Sequence, residues 1–210
     1  MMEPATLAQI LAADPLEAWQ AAIVARLDAL FPGVTVKAHP GKIDISQMIA
    51  KTIVPAPGIA VGWSRVRSIE LINGMVDLTV DWAAYIVVEA KAIENRAVDR
   101  DRLGWALGYR MMMILADREE TTWSLNKITP PAEQPAPQLV PLYTVADEGR
   151  GVGYLAATWS QTLVAQGAGL YDAPAPMLTV TIDDDGRASA EADFGDDVPI
   201  EVRDLWEVDP

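Results

Sequence analysis

The stretch Asn73-Gly74-Met75-Val76-Asp77-Leu78-Thr79-Val80-Asp81-Trp82-Ala83-Ala84-Tyr85-Ile86-Val87-Val88-Glu89-Ala90 decides the fold. It opens on an Asn-Gly pair, a strong hairpin signal because both residues accept positive φ at little cost. Val76, Leu78 and Val80 then alternate with polar neighbours, as a strand with one buried face does. From Trp82 to Val88 every position is apolar, the pattern of a central strand covered on both faces. One long strand over Met75 to Ala90 is therefore expected at the middle of a sheet. Arg67–Leu71, on the other side of the turn, is its hairpin partner, and Gly58–Ser64 reads as a separate strand.

Working outward, Asp14, Pro15 and Glu17 supply a cap, a first-turn proline and a capping-box-like acid for a helix over Asp14–Leu30. Leu16, Trp19, Ile23, Leu27 and Leu30 form one apolar stripe along it. Val34–His39 alternates like a half-buried strand, and Ile43–Thr52 reads as a short helix. A second main helix is expected over Val98–Ala116, with Leu103, Leu107 and Met111 inward and Arg96, Asp99, Arg100 and Arg102 on its polar side. Five prolines between Thr129 and Pro141 read as a loop. Leu142–Ala146 and Tyr154–Val164 are late strands. After Ala173-Pro174-Ala175-Pro176, the segments Leu178–Ile182 and Ala188–Phe194 flank Asp184-Asp185-Gly186 as a hairpin.

The order predicts an α+β fold: a mostly antiparallel β-sheet with two main helices packed on one face, plus an acidic C-terminal hairpin and tail. Residues 1–170 form the main domain and 171–210 the Pro-linked acidic appendage.

Composition narrows the chemistry. The 210 residues include no cysteine, which removes disulfides, thiolate metal sites and a cysteine nucleophile together. Net charge is −14. From Met177 to Pro210, eleven acids stand against Arg187 and Arg203, leaving −9 in that segment. Such a balance opposes wrapping a nucleic acid, which requires cations to displace phosphate counterions. The acidic segment reads as a solvated tail, or else as a docking arm for a basic partner. Met1-Met2-Glu3-Pro4 has none of the positive charge of a secretory leader. No apolar run approaches the ~20 residues of a membrane helix.

One enzymatic pattern stands out. Glu89-Ala90-Lys91, after an apolar strand, matches the ExK half of a Mg²⁺-dependent nuclease site, in which carboxylates on neighbouring strands hold the metal and the lysine activates water. The second carboxylate would be Asp77, Asp81 or Asp44. Asp77 and Asp81 lie about 27–41 Å from Glu89 along an extended strand, too far to share an ion unless the strand breaks. A strand-end charge pair is the simpler reading. His39, the single histidine, reads as structural, and Ser46, Ser64 and Ser160 lack a partner base. Seven tryptophans are too many for one small core, so exposed ones among them would mark a protein–protein surface.

Four stretches carry a family likeness: Ala25–Asp44, Val54–Trp63, Val80–Ala90 and Gly151–Trp159. In that order they resemble the tail-terminator (neck) proteins of Mu-like phages, over about residues 15 to 165 of this chain. The resemblance implies a structural subunit with no catalytic residues, cofactor or metal. It implies a ring, typically sixfold, that caps the tail tube or sheath of a contractile tail and meets the head–tail connector protein. Partners would be further copies of itself, the tube or sheath protein and the connector, with no membrane and no direct nucleic-acid contact. Assembly would occur in the host cytoplasm and the product would sit in the virion neck. A head-to-tail ring needs complementary charges, for which Arg65, Arg67, Arg96, Arg100 and Arg102 are the expected cations. The acidic segment after Gln166 departs from the family pattern. It supports an alternative reading as a partner-binding module of a tail-like injection apparatus.

Overall fold

A computed structural model describes residues 4–41, 54–142 and 151–167, together with the backbone of 177–182, 188–193 and 200–201. The expected helix at Ile43–Thr52 and the turn at Asp184-Asp185-Gly186 lie outside the described residues. The chain divides into two compact units, residues 1–72 with 76–166, and residues 73–75 with 167–210.

In the larger unit, helices α1 (Leu7–Ala12) and α2 (Pro15–Leu30) precede strands β1 (Thr35–Ala38), β2 (Gly58–Ile72) and β3 (Met75–Glu89). A small hairpin, β4 (Lys91–Ile93) and β5 (Arg96–Val98), leads into helix α3 (Arg100–Ala116). A 3-10 turn, Glu120–Thr122, and strands β6 (Gln138–Leu142) and β7 (Val152–Gln166) complete it. Five strands form one sheet in the order β1-β2-β3-β7-β6. β3 is therefore central, as its sequence requires. It pairs antiparallel with β7 from Val76↔Gln166 to Glu89↔Val152, and β6 runs antiparallel to β7. β1 is parallel to β2, Thr35↔Gly58 to Ala38↔Val61, so the sheet is mixed but mostly antiparallel.

Both main helices pack on the same face. Asp14 caps α2 by accepting from the Leu16 N–H at 2.8 Å, and Trp19, Ile23 and Leu27 are fully buried. The side chains that meet them alternate along the strands: Val80, Trp82, Ala84, Ile86 and Val88 on β3, and Leu155, Ala157, Trp159 and Leu163 on β7. α3 adds Met111, Ile114 and Leu115. Its Gly104 and Gly108 lie so close to the sheet that a Cβ would fall 2.7 Å from Leu155 Cδ1 and 2.6 Å from Leu139 Cδ2. Val54, Ala60, Val87, Val152 and Tyr154 bury part of the opposite face. β3 is thus apolar on both sides over its second half.

Four details differ from the sequence reading. Gly58–Ser64 and Arg67–Leu71 are one continuous strand, β2, because Arg65 and Val66 keep extended backbone between them. The second main helix starts at Arg100, capped by Asp99, whose carboxylate accepts from the Arg102 N–H at 2.8 Å. Arg96 lies on β5, not on the helix: Glu94 and Asn95 take positive φ (50° and 61°) and reverse the chain first. β6 begins at Gln138, inside the stretch read as a proline loop. It tolerates Pro141 because it is an edge strand, where a missing N–H breaks no inner ladder. Of the expected strand Leu142–Ala146, only Leu142 is described.

In the smaller unit, β8 (Met177–Ile182) pairs antiparallel with β9 (Ala188–Asp193), as the flanking sequence predicts. A short β10 (Ile200–Glu201) adds a third strand beside β9.

Candidate interaction surfaces

Two surface features of the larger unit hold unusual residues. The first is a cleft of about 400 Å³ on the sheet, lined in part by Ser64, Arg65, Arg67, Asp81, Tyr85, Gln138 and Ser160. Asp81 is nearly buried there on central β3, and a bare carboxylate at such depth is costly. Three donors satisfy it. Arg65 Nε lies 2.7 Å from Oδ2, Arg67 Nε lies 2.9 Å from Oδ1 with Nη2 3.1 Å from Oδ2, and Ser160 Oγ donates to Oδ1 at 2.5 Å. Burial pushes the Asp81 carboxyl up, but the bonds from Arg67, Ser160 and Arg65, with the Arg67 charge, outweigh it. The group is held below the ordinary carboxylate value. Asp81 stays ionised, and the cluster carries one net positive charge from two arginines.

Arg65 and Arg67 thus have an acidic partner inside the chain. By motif alone, Asp81 stands out only as a candidate metal ligand. A sharper signal was available: an acid inside an apolar strand must find a cation. Counting outward from a two-residue turn at Asn73-Gly74 sets Asp81 across from Val66, between the two arginines.

The other expected cations are placed differently. Arg100 packs its side chain toward β7, with Nη1 3.4 Å from the Val152 carbonyl and Nε 3.3 Å from Asp101 Oδ1. Arg96 and Arg102 are exposed, on β5 and α3, and have no ion-pair partner among the described residues. The five arginines do not converge on one site.

The second feature is the outward face of α3. Trp105, Tyr109 and Met113, spaced four apart, expose 63%, 68% and 48% of their surface. Residues four apart stack on one helix face, so these three make a continuous apolar stripe about 12 Å long. Arg102 and Arg110 border the stripe, and Asp101, one turn before Trp105 in the same line, pairs with Arg100 at 3.3 Å. Four of the seven tryptophans, by contrast, lie in the core. Trp19 and Trp82 meet edge to face at 4.9 Å, Trp82 stacks on Trp159 at 6.4 Å, and Trp123 tilts against Trp159 at 6.2 Å.

Buried Gln161 organises that cluster. Its Oε1 accepts from Trp123 Nε1 at 2.9 Å and Trp159 Nε1 at 2.8 Å. Its Nε2 donates to the Thr121 and Thr129 carbonyls at 2.9 and 2.8 Å. All four hydrogen-bonding positions of the amide are therefore used. Nothing in the sequence singled out Gln161, because a lone glutamine in a strand has no motif.

Glu89 and Asp81 lie on one unbroken strand eight residues apart, and Asp77 accepts from the Ala165 N–H at 2.8 Å. Asp44 lies outside the described residues. Among the described residues no three acidic or histidine side chains gather as a metal would need. His39 holds the end of β1, its Nδ1 donating to the Gly41 carbonyl at 2.8 Å. Among the described residues no helix is long and apolar enough to cross a membrane.

No protein-family model matches this chain, and no curated protein matches it.

Proposed function

We propose that the protein is a non-catalytic assembly subunit that closes head to tail into a ring and caps a phage-type tail, as the likeness to Mu-like tail terminators implies. The observation that carries the assembly reading is the Trp105–Tyr109–Met113 stripe. Aromatic side chains bury much area at low entropic cost, and an exposed contiguous set of them marks a contact surface. The Asp81 cluster fits the same reading, since its charges are spent mainly on holding the sheet together. The phage-tail assignment rests on the order of the four sequence stretches. In it, the ring meets the tube or sheath on one side and the head connector on the other.

The test is electron microscopy of tail particles from the producing cell with and without this gene. Overlong or headless tails in its absence are expected. Tails of normal length joined to heads would overturn the terminator role.

A further inference from the structure

Helix α1 is built to stand as a helix yet contributes no buried residue. Thr6 and Gln9 form a reciprocal capping box: Thr6 Oγ1 accepts from the Gln9 N–H at 3.3 Å, and Gln9 Oε1 accepts from the Thr6 N–H at 2.8 Å. Leu7, Ile10 and Leu11, at the spacing of one helix face, expose 79%, 53% and 69% of their surface, and no residue of α1 is buried. A six-residue helix does not sustain itself in water, where nucleation alone disfavours helices shorter than roughly 12 residues. Its apolar face must be covered by something to persist.

The outward stripe of α3 is the matching surface. Both faces are apolar, and the α3 charges left without a partner are opposite in sign to those around α1. The first 25 residues carry Glu3, Asp14 and Glu17 and no lysine or arginine. Beside the α3 stripe Arg102 and Arg110 have no ion-pair partner among the described residues, whereas the acids in line with it are engaged, Asp101 with Arg100 and Asp117 with the N–H groups of Glu119 and Glu120. We infer that α1 of one copy docks across the Trp105–Tyr109–Met113 stripe of a second copy. Leu7, Ile10 and Leu11 would pack on the rings, and the acids flanking α1 would approach Arg102 and Arg110. The two surfaces differ, so the contact is heterologous. Each copy offers one arm and receives another, which is how rings grow. This deepens the assembly reading by naming the contact, and it rests on self-association alone, not on the phage partner.

The absence of cysteine permits a direct test. A full-length Leu11→Cys chain is mixed with an affinity-tagged Tyr109→Cys chain under mild oxidation, and the products are separated by mass. The expected product is the mixed disulfide, in excess over either homodimer. In parallel, Leu11→Asp should weaken wild-type self-association by about thirtyfold in analytical ultracentrifugation, the loss typical of an interface hot spot. Its thermal midpoint should change little, because Leu11 is mostly exposed in its own chain. If the wild type assembles but no mixed disulfide forms and Leu11→Asp assembles normally, the arm contact is wrong and the ring reading survives. A wild type that stays monomeric at every concentration reached overturns both.

Discussion

Trp82 and Trp105 lie 23 positions apart in one chain, and the fold treats them oppositely. Trp82 is sealed between Trp19 and Trp159 at the centre of the sheet, whereas Trp105 stands on the outer face of α3, mostly in solvent. The same indole is a packing element in one place and a contact surface in the other. What separates them is the element each sits on. A central strand with alternating inward positions must bury Trp82, while a helix laid on a sheet buries only one of its faces. On α3 that inner face is taken by Gly104, Gly108, Met111, Ile114 and Leu115. Small inner residues draw the helix close to the sheet and turn the aromatic residues outward. A core indole should therefore be measured in stability, and the α3 stripe in association.

The largest effect should come from the core side of that contrast. Trp82→Ala removes the ring shared by two others and should cost about 4 kcal/mol in chemical denaturation. A loss below about 1 kcal/mol would mean that the cluster does not hold the sheet. Next, Gln161→Leu keeps the volume but strands two indole N–H groups and two carbonyls, and should cost about 3 kcal/mol. If it proves neutral, packing outweighs the amide network.

Asp81→Asn should cost about 2 kcal/mol at neutral pH, since it leaves two arginines without their anion in a partly solvated cleft. Its pH dependence follows from the lowered carboxyl. A group whose folded pKa lies below its unfolded value stabilises fully above that unfolded value, about 4. The contribution is lost as pH falls through the folded value. The gap between wild type and Asp81→Asn should therefore narrow in acid urea titrations below about pH 4, and a gap that stays constant would refute the assignment.

Gly104→Ala probes the inner face of α3. A helix gains about 1 kcal/mol from such a change, while overpacking against Leu155 and Val88 costs about 2, for a net loss near 1 kcal/mol. A stabilised variant would show that α3 can move away from the sheet. The smallest stability effect belongs to Trp105→Ser, within about 0.5 kcal/mol by thermal melting. It should nevertheless abolish self-association seen by ultracentrifugation. A large fall in the melting temperature with assembly intact would reverse the comparison.

One part of the core does not fit the satisfied pattern. Among the described residues, the indole N–H groups of Trp19 and Trp82 are buried without an acceptor, whereas those of Trp123 and Trp159 share Gln161.

The legible parts of this protein were those written in local chemistry. The Asn73-Gly74 turn, the change from alternation to a full apolar run in Met75–Glu89, and the Asp14-Pro15 helix start each depend on near neighbours in the chain. Each therefore determined its element without knowledge of the rest. The same holds for the α+β order and for the concentration of acid at the C-terminal end. Long-range contacts decided the remainder. That Gly58–Ile72 is one strand, that Pro141 sits in an edge strand, and that Asp81 belongs to Arg65 and Arg67 follow from which segments lie side by side. The same is true of Gln161, whose four partners come from residues 121, 123, 129 and 159. Which tryptophans are core and which form a surface was likewise set by packing. Spacing places Trp105 on a helix, but only the sheet beneath that helix selects the face turned to solvent.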